Sequence, residues 1–281
     1  MPTIQNKSCL GQREFQVISE FIYTHFGILL PLNKKTLVEA RLQKRLFALQ
    51  MDSFQTYVDF VMGAEGQEEI LHMIDRISTN KTSFFREWKH FVFLAEHLLP
   101  EHEKNFGNNP LKIWSSASSS GQECYSVAMA IEEYNQLSEV NIDYSILGSD
   151  ISITVLQTAV DAVYKGKDLE QVPLAQRKRY FLRSKDKMVD KFRIAPGVRK
   201  KTNFQWLNLM DAYYNVPRGF DIIFCRNVLI YFDRKTQKEV ISKLLLKLKS
   251  GGYLFLGHAE SILDLNFPVK MIEPSVYQKI K

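Results

Sequence analysis

The chain has 281 residues, of which 45% are hydrophobic and 24% charged, a balance that excludes a disordered or low-complexity polypeptide. No run approaches the roughly 18–20 uninterrupted apolar residues of a membrane span, and the opening Met1–Phe15 stretch lacks the apolar h-region of a signal peptide. A cytoplasmic protein without membrane insertion is expected. Cys9, Cys124 and Cys225 lie too far apart for a zinc knuckle or a disulfide framework, so reduced thiols and no metal site are expected. The net charge of +6 is local: residues 165–201 carry thirteen Lys/Arg against four Asp/Glu, an excess of +9 that leaves −3 elsewhere. Such a segment is either a solvated face or a surface for an acidic partner.

Residues 13–105 show helical periodicity. Phe15, Ile18, Ile22 and Phe26 share one face, as do Leu42, Leu46 and Leu49. Gly27 and Pro31 interrupt the first pattern, and Asp52-Ser53 opens the next. An all-helical unit over residues 1–90 is expected, with a connecting helix through Leu99 and punctuation from Pro100 to Pro110. Beyond it, short apolar runs at Leu111–Ser115, Tyr144–Leu147, Phe204–Leu207, Ile222–Cys225 and Tyr253–Leu256 alternate with helical patterns near 122–135, 152–163 and 234–249. That alternation predicts an α/β domain over 91–281 with a parallel sheet covered on both faces. Val276–Ile280 reads as a closing strand. Residues 180–201 read as a small inserted β-element, bent at Pro196-Gly197.

Five segments carry chemistry. Trp114–Glu123 runs from a predicted strand through Ser-Ser-Ala-Ser-Ser-Ser-Gly into a helix, a context suited to a nucleotide-like ligand; an ordinary turn with Ser120 capping the helix also fits. Asp150 closes the second strand, where an acid can accept ribose hydroxyls or cap the following helix. This order is shared by nicotinamide and S-adenosylmethionine enzymes and does not separate them, although G-x-G-x-x-G is missing. In Asn80–Arg86 the helical pattern breaks; Asn80 and Thr82 suit hydrogen bonding to a ligand, and Arg86 suits a carboxylate. Arg226, Asn227 and Tyr231 follow the strand ending at Cys225, where ligands sit in open parallel sheets. In Gly251–Ser261, His258 reads most simply as structural.

The ordered strings N-K-T-S-F-F-R-E, W-S-S-A-S-S-S-G-Q-E-C-Y-S, G-S-D-I, N-L, F-C-R-N-V-L-I-Y-F-D and G-G-Y-L-F-L-G-H-A-E-S resemble the CheR family of chemotaxis receptor methyltransferases over nearly the whole chain. The resemblance implies a helical N-terminal domain and a Rossmann-like class I methyltransferase domain with a small antiparallel β-insert. It implies S-adenosyl-L-methionine as cofactor, with S-adenosyl-L-homocysteine as product. Asn80, Thr82, Arg86, Glu123, Asp150, Asn208, Leu209, Arg226 and Asn227 match the family's cofactor segments, and Arg86 and Tyr231 its catalytic positions. The implied activity is protein-glutamate O-methylation of methyl-accepting chemotaxis receptors, with no nucleic acid as partner and a monomeric enzyme expected. Two departures stand out. The loop reads Gly121-Gln122-Glu123-Cys124-Tyr125-Ser126 where the family favours G-E-E-P-Y-S. The stretch Ser184–Lys191 lacks the glycines of members that bind a receptor's C-terminal pentapeptide, which predicts independence from that tether.

A glutamate carboxylate, with a reference pKa near ~4.3, is already a nucleophile at neutral pH, so positioning is the enzyme's main task. Lys34, Arg41, Lys44 and Arg45 lie mostly on one face of the helix after Pro31 and form a possible basic stripe for an acidic receptor helix, or simply an exposed face. A small-molecule or nucleic-acid methyltransferase and a non-catalytic cofactor-binding module remain alternatives on the residues alone.

Overall fold

A computed structural model describes residues 8–107, 109–186 and 188–280. The first seven residues of the stretch without an apolar h-region, and Lys187 of the Ser184–Lys191 stretch, lie outside them. The chain divides after Thr79 into two compact units, the first of which also includes Tyr231–Thr236.

In the first unit, α1 (Gln12–Phe26), α2 (Lys35–Ala48), α3 (Phe54–Met62) and α4 (Gln67–Ile77) bury one stripe each. Phe15, Ile18, Ile22 and Phe26 form the buried face of α1, and Gly27 ends that helix in the left-handed conformation. Ser53 caps α3 by accepting from the Thr56 N–H. Leu42 and Leu46 are buried on α2, whereas Leu49 lies at its C-cap.

Half of the expected basic stripe on α2 turns inward. Arg45 donates from Nε and Nη2 to the two oxygens of Glu69, at 2.8 and 2.6 Å, and Tyr57 donates to the same carboxylate at 2.9 Å. Arg41 donates to the Ile77 and Ser78 carbonyls, where a cation offsets the open carbonyls at the end of α4. Only Lys34 and Lys44 of the four are exposed. Helical periodicity gives the face of an arginine, but not whether a carboxylate 24 residues away is waiting for it.

The second unit opens with a long helix: α5 (Lys89–Phe93), a π-turn at Leu94–Leu98, and α6 (Leu99–Phe106). The helix passes through Pro100 because the π-turn resets the hydrogen-bond register immediately before it, with the Leu99 N–H donating to the Leu94 carbonyl. The main sheet contains β1 (Leu111–Ser115), β2 (Tyr144–Asp150), β6 (Thr202–Trp206), β7 (Phe220–Cys225), β8 (Leu248–Leu256), β9 (Val269–Glu273) and β10 (Val276–Lys279), in the order β6-β2-β1-β7-β8-β10-β9. All its pairings are parallel except those made by β10. The helices α7 (Gln122–Leu137), α8 (Ile153–Asp161) and α11 (Arg234–Lys247) occupy the crossovers. This is the expected Rossmann-like arrangement, preceded by the expected helical region.

Three details depart from the sequence reading. The β-insert starts before residue 180: β3 (Val163–Lys165), β4 (Phe181–Arg183) and β5 (Lys191–Ile194) form an antiparallel sheet in the order β3-β5-β4, with α9 (Leu174–Tyr180) between its first two strands. A three-residue strand beginning just after the left-handed cap of α8, Ala162, has no alternation to read. Pro196 and Gly197 open a short helix, α10 (Pro196–Arg199), rather than bending the insert. The edge strand β9, Val-Lys-Met-Ile-Glu, is mostly exposed and too short to read as an apolar run. Among the described residues, no helix is long and apolar enough to cross a membrane.

The Arg45–Glu69–Tyr57 cluster yields a test of the first unit. Glu69→Ala, which leaves a half-buried cation and a buried hydroxyl without their partner, should destabilise the protein by on the order of 2 kcal/mol in denaturant unfolding. A change below about 0.5 kcal/mol would place the pair among inert surface contacts.

Candidate active site

In the second unit, the sheet grows outward from β1 in both directions, so the order of connections reverses between β1 and β7. Ligands of open parallel sheets bind beyond the carboxyl ends of the strands at such a reversal. The residues that follow β1, β2, β6, β7 and β8 therefore form the candidate site, together with the segment Asn80–Glu87.

The loop after β1 is fixed by backbone pairing. Ser116 N donates to Phe224 O, Ser118 N to Ser149 O, and Ser119 N to the Asp150 carboxylate, each at 2.8 Å. Gly121 then enters α7 at φ 90°, and a Cβ there would lie 2.9 Å from that of Ala159, so both conformation and space require glycine. Gly121, not Ser120, is the N-cap of α7; the Ser120 hydroxyl turns to the Gln122 side chain. Likewise Ser152, not Asp150, caps α8. Asp150 instead accepts from the backbone of Ser119 and Ser152, joining the ends of β1 and β2.

The segment Asn80–Glu87 is anchored by its two phenylalanines. Phe84 packs edge-on against Tyr164 and Phe181 of the insert, and Phe85 against Phe91. The Phe85 N–H donates to Ser126 on α7, and the Asn80 carbonyl accepts from the Ser119 hydroxyl. Phe85 and Glu87 adopt positive φ, 51° and 57°, which turns alternate side chains out of the run. Thr82 is half-buried.

Arg226, at the end of β7, has a side chain only 2% exposed. It donates to Glu123 at 2.8 Å and to Glu87 at 2.9 Å, and also to the Arg86 carbonyl. Glu123 in turn accepts from the Ser115 hydroxyl at 2.7 Å. Asn227, at φ 59°, donates from its amide to the other oxygen of Glu87 at 3.0 Å. Burial works to raise the Glu87 pKa, but the Asn227 hydrogen bond and the Arg226 charge overcome it and hold the carboxyl down at about 2. His90 is pushed down to about 3, by burial first and by Arg226 second, and is neutral near pH 7. Glu87, His90 and His258 bring ligand-type atoms within 4.8 Å of one another. Both Glu87 oxygens are already taken by Arg226 and Asn227, and the guanidinium beside them opposes a metal cation. His258 is half-exposed rather than a core histidine.

Arg86 contrasts with Arg226. It is half-buried, donates to the Lys81 carbonyl at 3.0 Å, and makes no ion pair among the described residues. Asn208 and Leu209 are buried after β6, where the Asn208 side chain accepts from Met210 N and the Leu209 carbonyl accepts from Lys243. Tyr231 ends the 3-10 turn Leu229–Tyr231 and falls in the helical unit, where its carbonyl accepts from Leu29 N. Two residues here were not singled out by sequence reasoning, Glu87 and Glu260. Both lie inside the strings that carry the family resemblance, but Glu87 pairs with Arg226 and Asn227, and Glu260 accepts from Asn227 and Ile230, all remote in sequence.

The comparisons with known proteins decide the family. The CheR methyltransferase SAM-binding domain matches residues 80–277, and the CheR methyltransferase all-alpha domain matches residues 13–78. The chain belongs to the CheR methyltransferase family. It is 38% identical to a chemotaxis protein methyltransferase of Borreliella burgdorferi, over 99% of this chain and 100% of that one. It is 34% identical to chemotaxis protein methyltransferase 2 of Pseudomonas aeruginosa, over 99% of each chain, and 34% identical to the Escherichia coli chemotaxis protein methyltransferase, over 95% of this chain and 91% of that one. This CheR-family protein is thus an S-adenosylmethionine-dependent methyltransferase of the chemotaxis type.

The loop chemistry fits that cofactor. The Ser118 hydroxyl is buried with no hydrogen-bond partner among the described residues, whereas the hydroxyls of Ser116, Ser119 and Ser120 are each bonded. A buried hydroxyl left unpaired costs stability unless a ligand completes it, and a nucleoside offers the acceptors and donors to do so.

The low Glu87 pKa makes a pH prediction. A carboxyl depressed from 4.5 to about 2 contributes stability that is complete above roughly pH 4.5 and is lost as pH falls towards 2. The stability difference between the wild type and Glu87→Gln, from denaturant unfolding, should be constant above about pH 5 and shrink below about pH 4.5. A difference that grows on acidification would show that the pair does not hold.

Proposed function

We propose that this enzyme methylates glutamate side chains on the cytoplasmic helices of chemotaxis receptors, as a cytoplasmic monomer that does not use the pentapeptide tether. The observation that carries the reading is the contrast between two arginines in one site. Arg226 is neutralised by Glu87 and Glu123. Arg86, three residues from the segment's anchored Ser83 and next to Glu87, keeps its charge free of any carboxylate among the described residues. An uncommitted guanidinium at a ligand site is what an incoming carboxylate requires.

Asn80, Thr82, Arg86, Glu123, Asp150, Asn208, Leu209, Arg226 and Asn227 are assigned to hold the cofactor, with Ser118 as a further partner. Bound S-adenosylmethionine supplies a methyl group on a positively charged sulfur. A substrate glutamate is ionised well above its reference pKa of ~4.3, so no side chain is needed to remove a proton. Arg86 fixes the carboxylate so that one oxygen faces the methyl group, and Tyr231 is the second residue assigned to the transfer step. Positioning of this kind is worth roughly 7–11 kcal/mol of barrier. Tether independence rests on the hairpin loop between β4 and β5. Its ends are joined by Ser184 N to Lys191 O, and Asp186 accepts from Met188 N within it; no glycine opens its backbone to a peptide.

Incubation with methyl-labelled cofactor and receptor cytoplasmic fragments should transfer label that mild base releases as methanol. Base-stable label, or transfer to RNA instead, would contradict the substrate assignment. Arg86→Ala should lower turnover by about a hundredfold or more with the fold intact, and Arg86→Lys should also be impaired because an ammonium lacks the planar fork. Full activity in Arg86→Ala would reject the role. Calorimetry with a receptor C-terminal pentapeptide should show no binding at micromolar concentration; saturable heat there would overturn tether independence.

A further inference from the structure

The carboxyl ends of β7 and β8 lie side by side, with Cys225 and Leu256 in register. Each strand is followed by an irregular turn, and one carboxylate joins them. Glu260, only 6% exposed, accepts from Asn227 N at 2.9 Å and Gly257 N at 2.6 Å through one oxygen, and from Ile230 N at 3.3 Å through the other. Its own N–H donates to the Gly257 carbonyl at 2.9 Å, which folds the side chain back over the turn.

Three further features fit this clamp. Asn227 sits at φ 59°, a left-handed conformation that asparagine tolerates better than most other non-glycine residues and that its backbone and side-chain partners hold here. Gly257 has no room for a side chain: a Cβ would lie 2.8 Å from the Glu260 carboxylate and 2.9 Å from Asn227 N. The Asn227 side chain is fixed from the other side by Glu87. The two carboxylates thus divide the work, Glu87 holding the side chains of Arg226 and Asn227 and Glu260 holding the backbone beneath them.

We propose that Glu260 is a positioning residue for methyl transfer: by accepting backbone donors from the β7 and β8 turns, it sets the left-handed turn that presents Arg226 and Asn227 to the cofactor. The inference rests on the assignment of Arg226 and Asn227 to the cofactor site. Glu260 accepts hydrogen bonds from backbone N–H groups of this site and is not itself assigned to touch the cofactor. Burial pushes the Glu260 pKa up, and the backbone N–H groups that converge on it oppose that rise, because a carboxylate's two oxygens only accept. Glutamine in its place would turn an amino group towards a backbone donor.

The test uses the full-length protein in two variants. Glu260→Gln removes one acceptor from the clamp, and Gly257→Ala inserts a methyl group into it from the opposite side. Each is examined well below its melting temperature by hydrogen exchange, by titration with S-adenosylhomocysteine, and by steady-state transfer to a receptor cytoplasmic fragment. Both variants should lose exchange protection at residues 226–231 while the 116–120 loop keeps its own. The Kd for S-adenosylhomocysteine should rise about tenfold, the effect of losing one hydrogen bond to a charged group. Turnover should fall while KM for the protein substrate stays within about twofold, because the defect lies on the cofactor side. Protection lost at 226–231 with affinity and turnover unchanged would overturn the proposal, as would affinity lost with that protection intact. If one variant does not fold, the other decides between the same two outcomes. A wild-type protein that binds no S-adenosylhomocysteine would instead refute the reading of the pocket itself.

Discussion

A guanidinium with 2% of its side chain exposed cannot stand alone, and the site of this protein is built around that constraint. Removing the Arg226 charge from water costs several kcal/mol, which only close, well-aligned carboxylates offset. Its two partners come from separate segments: Glu123 opens the helix after β1, and Glu87 lies 139 residues before Arg226 in a left-handed turn. Satisfying one buried charge therefore draws the end of β7, the start of α7 and the Asn80–Glu87 segment together. The same geometry leaves Arg86, adjacent to Glu87, without a carboxylate partner among the described residues. One arginine organises the site, and its neighbour donates only to the Lys81 carbonyl among the described residues.

The parallel sheet makes this assembly possible. β1, β2, β6, β7 and β8 all deliver their carboxyl ends to one edge, and each end is followed by a turn whose polar groups are tied to the next. Asp150 joins the β1 and β2 ends, and Glu260 joins those of β7 and β8. Acidic side chains at strand ends thus serve as internal cross-links, whatever they also offer a ligand. Gly121 and Gly257 admit this close approach, at points where a single methyl group would collide with a neighbour. Within this frame the Ser118 hydroxyl is left without a hydrogen-bond partner among the described residues, in the loop where a nucleoside is expected, as are both ring nitrogens of the neutral His90.

Much of this was legible in the sequence because it was local. The apolar runs at Leu111–Ser115 and Ile222–Cys225 gave their strands, and the stripe from Phe15 to Phe26 gave its helix. What escaped was either too short or too distant in sequence. Val163–Lys165 offers three residues and no alternation, and β9 is an exposed edge. In Ser118-Ser119-Ser120-Gly121 several residues are chemically able to cap a helix, and backbone geometry selects Gly121. Arg45 looked like part of a docking face because nothing near it in sequence reveals Glu69. Glu87 and Glu260 escaped for the same reason, since their roles are defined by Arg226 and Asn227. Asn208 and Leu209 were reached through the family resemblance alone, as no charge or glycine marks them.

The carboxyl edge of the sheet, organised by Arg226, is the proposed cofactor pocket. Titration calorimetry of S-adenosylhomocysteine into the wild type and into Arg226→Met tests it most directly. The account predicts one saturable site in the wild type and its loss in the variant. No binding by the folded wild type, or equal binding by both proteins, would contradict it.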